Sequence, residues 1–282
     1  VTLFCDPQKF LKVNLNLNVR LLDWENFTVY LQSVKGNILI DPSSLPYAAM
    51  EALEMGSSKT IRSIDPCALP KARKNNSELA GTRAAHLRDG AAIVEFLAWF
   101  DAADKSCLSE IDIVKKLESF RVATNRLHDI SFDTISGSGP HGAIVHYRVN
   151  NDTNRKLDSD SVLLIDSGAQ YHDGTTDITR TLPLGNPRQE IIQTFTRVLQ
   201  GMIAISQVRF PKGLTGRDLD TLARVPLWAA GQDYDHGTGH GVGSFLSVHE
   251  GPQRISQATD VALEPGMILS NEPGYYRTGE FG

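Results

Sequence analysis

The opening third of the chain alternates short apolar runs with polar breaks. Val1–Cys5 and Asn37–Ile40 are apolar runs that end at Asp6 and Asp41, as strands leading into turns do. Leu45–Met55 reads as a helix and Thr60–Ile64 as a further strand. Asp65-Pro66-Cys67-Ala68-Leu69-Pro70-Lys71 follows, and its two prolines interrupt any regular element. A domain boundary is therefore placed there, with residues 1–70 as a small α/β unit and 71–282 as a larger domain.

Beyond the boundary the pattern lengthens. Asn75 with Glu78 three residues later has the form of a capping box. The helix it starts carries Leu87, Gly90, Val94, Leu97 and Ala98 on one face and runs to about Ala102. A second helix covers Ser109 to about Phe120. A third begins at Asn186-Pro187, with proline at the first helical position. Its residues Ile191, Phe195, Val198, Met202 and Ile205 keep a helical period. Val162–Ile165, Thr175–Leu182 and Met267–Ser270 are strand-like. Helices and strands in mixed order, without βαβ alternation or a short internal repeat, predict the α+β class.

Composition narrows the function. With 282 residues, 41% hydrophobic and 22% charged, there is chain enough for a core and a cleft. The net charge of −5 and the lack of any Lys/Arg run argue against nucleic acid or a membrane surface. Cys5, Cys67 and Cys107 are scattered and form no C-x-x-C, which excludes a disulfide framework or cysteine zinc site. They are expected as buried, reduced thiols, which suits a cytoplasmic protein. No apolar run approaches the ~20 residues of a membrane span. Val1–Leu11 contains Asp6 and lacks the shape of a signal peptide. The absent initiator Met leads us to expect a start inside a longer protein.

Three stretches carry candidate chemistry. In Leu164 to Thr181, Asp173-Gly174 is a turn signal between two strand-like runs, so a hairpin would set Asp166 beside Asp177. Adjacent carboxylates repel unless a cation or shared proton separates them, and a divalent metal resolves this. Taken alone, the pair reads equally well as a strand end and a loop cap. The second stretch is His236-Gly237-Thr238-Gly239-His240-Gly241-Val242-Gly243, followed by His249-Glu250-Gly251-Pro252. So many glycines disfavour a helix, but in an extended strand His236 and His240 point the same way. The glycines admit a substrate or another backbone at close range. In the third, Glu264 to Tyr276, Glu272 ends an apolar run just before Pro273-Gly274, where a solvated turn residue would also fit.

Taken together, Asp133–Tyr147, Asp166–Thr181, His236–Pro252 and Glu264–Tyr276 resemble the aminopeptidase P branch of the pita-bread metallopeptidases. The resemblance runs from about Pro66 to the C-terminus, and the preceding residues are similar to part of the family's non-catalytic, creatinase-type domain. It implies an Xaa-Pro aminopeptidase, which releases the first residue of peptides with proline second through a metal-bridging hydroxide. By the resemblance, Asp166 and Asp177 hold one metal, and Asp177, His240 and Glu272 hold the other. Mn²⁺ is the implied ion, with Zn²⁺ or Co²⁺ as alternatives. His146, His236 and His249 match non-ligand active-site histidines, and Tyr276 matches a residue lining the substrate cleft. Glu272 is the implied proton acceptor. His146 and His249 would hydrogen-bond substrate and oxyanion, while His236 would position the first residue or relay a proton.

The resemblance also sets expectations about extent. The family's fifth ligand is a glutamate in a Gly-Ile-Arg-Ile-Glu-like segment, expected where this sequence stops at Gly279-Glu280-Phe281-Gly282. A fragment lacking a further N-terminal domain and that ligand is therefore expected, homodimeric when full length. The rival readings are a prolidase acting on dipeptides, and a metal-free creatinase-like or peptide-binding relative. His86, His128, His141 and His172 are left outside the chemistry, with His172 expected to be exposed.

Overall fold

The computed structural model describes residues 1–10, 12, 18–157 and 159–282. These fall into two compact units, Val1–Ala68 and Leu69–Gly282. In the first, β1 (Thr2–Phe4) pairs in parallel with β2 (Arg20–Leu22), and α1 spans Phe27–Ser33. A crossover follows: β3 (Asn37–Ile40), α2 (Tyr47–Met55), then β4 (Lys59–Arg62), which pairs in parallel with β3. The sequence reading does not contain β2 or α1. Neither element has a fully buried residue, and α1 is held by Phe27 and Tyr30 packing on Phe4 at ring-centroid distances of 5.2 and 5.1 Å. That is a tertiary contact with no local signature.

The second unit begins with α3 (Ala68–Ala72), α4 (Asn76–Ala102) and α5 (Glu110–Ala123). The predicted cap on α4 is present: Glu78 N donates to Asn75 Oδ1 at 3.0 Å and Asn75 N to Glu78 Oε2 at 2.8 Å. Most of the predicted stripe on α4, however, faces outward: Leu87 is 79% and Val94 64% exposed, and only Leu97 packs against the core. The buried face is Thr82, Ala85, Asp89, Ala92, Ile93, Phe96 and Phe100. Asp89 disguises it, because its charge is tolerated inside through partners distant in sequence, above all Arg121 of α5, Nε to Oδ1 2.8 Å.

A four-stranded antiparallel sheet is built around β6 (Val162–Tyr171), which pairs with β5 (Asp129–Ser138), β7 (Gly174–Thr175) and β8 (Ile178–Pro183). Ile93, Phe96 and Phe100 of α4, Ile113 and Leu117 of α5, and Leu163 and Ile165 of β6 share one core. Thr175–Leu182, predicted as one strand, is interrupted at Thr176-Asp177. β5 is absent from the prediction: its alternation lasts only from Ile130 to Phe132, and its buried half, Thr134 to Ser138, is mostly small and polar.

The remaining elements are α6 (Gln189–Gln207), α7 (Gly216–Trp228), β9 (Gly239–His240) and β10 (Arg254–Ile255). Helix α6 starts later than predicted. Arg188 is its extended N-cap and its carbonyl accepts from Ile191 N, which leaves Pro187 outside the helix. α7 contains Pro226, which sequence reasoning treats as a helix breaker. The cysteines are unpaired, but not buried as expected: Cys67 and Cys107 are exposed and Cys5 is intermediate. Cys67 lies in the proline-interrupted segment, and Cys107 ends a 3₁₀ turn, its thiol 3.7 Å from Asp104 Oδ2. No helix among the described residues is long and apolar enough to cross a membrane.

Candidate metal centre

The β6–β7 hairpin turns at His172-Asp173 and pairs Gln170 with Thr175. The same register resumes beyond Asp177, with Ser167 opposite Ile178 and Asp166 opposite Thr179. Thr179 Oγ1 donates to Asp166 Oδ1 at 2.8 Å. Asp177 stands two residues before Thr179, the spacing that puts extended residues on one side. The chain leaves the ladder at Thr176, whose hydroxyl donates to the buried Asp89 at 2.8 Å and accepts from Ala169 N at 2.9 Å. Gly168 permits this, since a Cβ there would lie 2.0 Å from the Thr176 carbonyl oxygen.

His240 and Glu272 meet through a second set of backbone bonds. Ser270 N donates to His240 O and Glu272 N to Thr238 O, both at 2.8 Å. Met267–Ser270 is thus not the regular strand predicted; it contributes a single bridge, Leu269 with Gly241. A Cβ on Gly239 would sit 2.1 Å from the Ser270 carbonyl oxygen, and one on Gly241 2.0 Å from that of Glu250. These two glycines admit a neighbouring backbone. Ser270 Oγ donates to Glu272 Oε1 at 2.5 Å and accepts from His240 N at 2.9 Å, fixing both side chains.

Among the described residues, one group of metal-ligating side chains has all its ligand atoms within 4.8 Å: Asp177, His240 and Glu272. The His240 ring tests whether a cation fits. Its Nδ1 lies 2.8 Å from the Gly241 carbonyl, so in the neutral ring that nitrogen carries the proton. Nε2 is then a lone pair, 3.3 Å from Asp177 Oδ2 and 3.0 Å from Glu272 Oε1. It is buried and makes no hydrogen bond. A lone pair facing two carboxylate oxygens is repulsive, and a cation between them removes the repulsion. The residues fit a metal, and a donor set rich in oxygen suits a hard or borderline divalent ion.

The metal-free electrostatics carry the same signature. Burial, then the neighbouring Asp177 and Glu272, push the Asp166 carboxyl up to about 7. Burial lowers the pKa of His240, but Asp177 and Glu272 outweigh it and raise the ring to about 10. Burial raises that of Glu272, and the hydrogen bonds donated by Ser270 and, once its ring is protonated, by His240 bring it below the usual carboxylate range. In the absence of metal, protons hold this cluster together. Asp166 lies outside the tight trio, next to it on the sheet.

The predicted histidines are placed unequally. His249 packs edge-on against His240 with centroids 4.2 Å apart, and His146 lies 6.4 Å from His249. Burial, then the neighbouring His240, lowers the pKa of His249. The extended strand predicted through His236 is not formed; only Gly239-His240 is strand. His236 Nδ1 pairs with Gly237 O at 2.8 Å, and its Nε2 lies 2.9 Å from Tyr276 Oη. With Nδ1 carrying the proton, the phenol donates to Nε2. Burial, then Glu272 and Asp166, raises the Tyr276 pKa, which keeps that proton on oxygen. Of the remaining histidines, His172 is exposed as expected, its ring 4.6 Å from and tilted against that of His128. His141 binds the buried Glu110.

Sequence reasoning missed Thr179, Ser270, Thr238 and Glu110. Thr179 and Ser270 were within reach, being two residues from Asp177 and Glu272 in extended chain. Glu110 was not: it accepts from Ser138 N at 2.7 Å and His141 Nδ1 at 2.9 Å, far apart in sequence.

Residues 80–282 match the model of metallopeptidase family M24, and residues 1–78 that of the creatinase/prolidase N-terminal domain. A probable Xaa-Pro aminopeptidase P from Aspergillus fumigatus is 48% identical over 82% of this chain and 36% of its own length. The crystal structure of the X-prolyl aminopeptidase of Caenorhabditis elegans, described as a cytosolic enzyme with a di-nuclear active site, superposes with a TM-score of 0.83. It is 37% identical, over 94% of this chain and 45% of that one. The prolidase of Pyrococcus horikoshii has the same TM-score at 26% identity, over 99% of this chain and 79% of that one. The chain spans less than half the length of the curated relatives it matches.

Proposed function

Since this chain belongs to metallopeptidase family M24 and has its pita-bread fold, we propose that it is the catalytic part of an Xaa-Pro aminopeptidase. The observation that carries the proposal is the trio Asp177, His240 and Glu272, set around a buried, unshared imidazole nitrogen. The match to relatives named as aminopeptidases, at 48% and 37% identity against 26% for the prolidase, favours this reading over a dipeptidase.

In the proposal Asp166 and Asp177 hold one divalent ion and Asp177, His240 and Glu272 a second, with Mn²⁺ the preferred ion. When bound, such a pair lowers the pKa of water toward ~7 and polarises the scissile carbonyl. The remaining work falls to the chain. Glu272, aimed by Ser270, accepts the proton of the attacking water. His249, whose pKa burial lowers, has an N–H to donate to the tetrahedral oxygen. His146, beyond it, donates to the substrate backbone. His236 and Tyr276 line the cleft and position the first residue. Proline in second position offers no amide N–H, so recognition rests on these donors and on ring shape. The cytosolic relative and the unpaired cysteines support a cytoplasmic setting.

The test uses the full-length protein, stripped of metal and reloaded with Mn²⁺. Mass spectrometry of an Arg-Pro-Pro-type peptide is expected to show release of the first residue only. A prolidase would instead prefer the Arg-Pro dipeptide, and a metal-free relative would cleave neither.

A further inference from the structure

We infer that the buried Asp220–Arg224 pair of α7 is a positioning device for His236, and that Arg224 acts on the reaction through that histidine. The inference rests on the functional reading above. Arg224 is 4% exposed and Asp220 fully buried, yet neither is a ligand candidate. Arg224 Nε donates to Asp220 Oδ2 at 2.7 Å and Nη2 to Asp220 Oδ1 at 3.3 Å. The rest of the guanidinium reaches into the segment carrying His236. Nη1 donates to Tyr234 O at 2.6 Å and to Asp233 Oδ1 at 2.8 Å, and Nη2 to His236 O at 2.8 Å. Each nitrogen is engaged, and the plane stacks on the Tyr234 ring at 3.9 Å. Lysine has one nitrogen and no fork, so it cannot hold these acceptors together.

Asp220 grips the same segment from its other side. Thr238 Oγ1 donates to Asp220 Oδ1 at 2.6 Å and accepts from Tyr234 Oη. The pair thus fixes Tyr234, His236 and Thr238 in a segment that has no strand or helix of its own. The His236 ring then has one free choice, its orientation, and Gly237 O and Tyr276 Oη set it. His240 is held by Ser270, and among the described residues the one link from the clamped segment to the trio is a backbone bond, Glu272 N to Thr238 O at 2.8 Å, to which Arg224 itself makes no contact. Arg224's own bonds reach His236 O and none of the trio, so the geometry assigns it to His236.

The test compares Arg224→Lys, His236→Ala and the double variant in the full-length protein loaded with metal. Arg224→Lys is expected to lower kcat/KM by ~10–100-fold, the usual cost of losing a supporting partner. Metal content should stay at the wild-type level, and the double variant should be no slower than His236→Ala alone. Multiplying losses, or loss of metal with Arg224→Lys, would overturn the assignment. A readout independent of activity separates this from failure of the functional reading. In the Zn²⁺-loaded protein, Arg224→Lys should shift the His236 imidazole NMR signals and leave those of His240 and His249 in place. Unchanged His236 signals, or a shift of all three, would refute it. Should Arg224→Lys fail to fold, Thr238→Val removes one arm of the same clamp and must give the same selective shift.

Discussion

Asp177 is the residue on which the candidate centre turns, because it belongs to the tight trio and neighbours Asp166. Asp177→Asn removes a negative charge shared between the proposed metals, so metal stoichiometry and peptidase activity should fall together. A variant that keeps two metals and normal turnover would refute the assignment. His249 separates the roles differently. It lies against His240 but outside the ligand trio. His249→Ala is expected to retain metal by elemental analysis while losing ~10²–10³ in turnover, the cost of one oxyanion donor. Loss of a metal ion would make it a ligand. At this scale the sequence was informative where chemistry and spacing coincide. His240 and Glu272 stand out by residue type, whereas the hydroxyls that aim them do not, since serine and threonine are common everywhere.

Elements were legible to the extent that they are local. The cap at Asn75 and the hairpin signalled by Asp173-Gly174 follow from adjacent residues, and both are present, the hairpin turning one residue earlier, at His172-Asp173. The buried face of α4 was not legible, because Asp89 belongs there above all through Arg121, thirty-two residues away. That pair also holds the site hairpin: Tyr171 Oη donates to Asp89 Oδ1 at 3.0 Å and Thr176 Oγ1 to Oδ2 at 2.8 Å. Both ions are fully buried. Asp89→Asn leaves the Arg121 charge uncompensated and should cost ~3–5 kcal/mol in chemical denaturation. A change below 1 kcal/mol would show that the pair is dispensable. Replacing both with apolar residues should recover much of the loss in stability, though not the hydrogen bonds that place Thr176 beside Asp177.

For the whole molecule, the proton-held cluster makes stability depend on pH and metal together. Asp166 is raised from 3.8 to about 7 and His240 from 6.5 to about 10. Both groups bind protons more tightly folded than unfolded. In the metal-free protein their contribution is therefore present at low pH. It is lost as pH rises through about 7 for Asp166 and about 10 for His240. Metal needs both groups deprotonated, so its affinity should rise over the same window. The Mn²⁺-induced increase in Tm should be larger at pH 8.5 than at pH 6, and an equal increase would contradict the account. The proposed activity is metal-dependent removal of the residue before proline. It is tested most directly by titrating Mn²⁺ into the metal-stripped, full-length protein while following an Arg-Pro-Pro-type peptide by mass spectrometry. The account requires release of arginine alone, saturating near two equivalents of metal, with none from the Asp177→Asn variant. Cleavage without metal, or cutting at another bond, would contradict it.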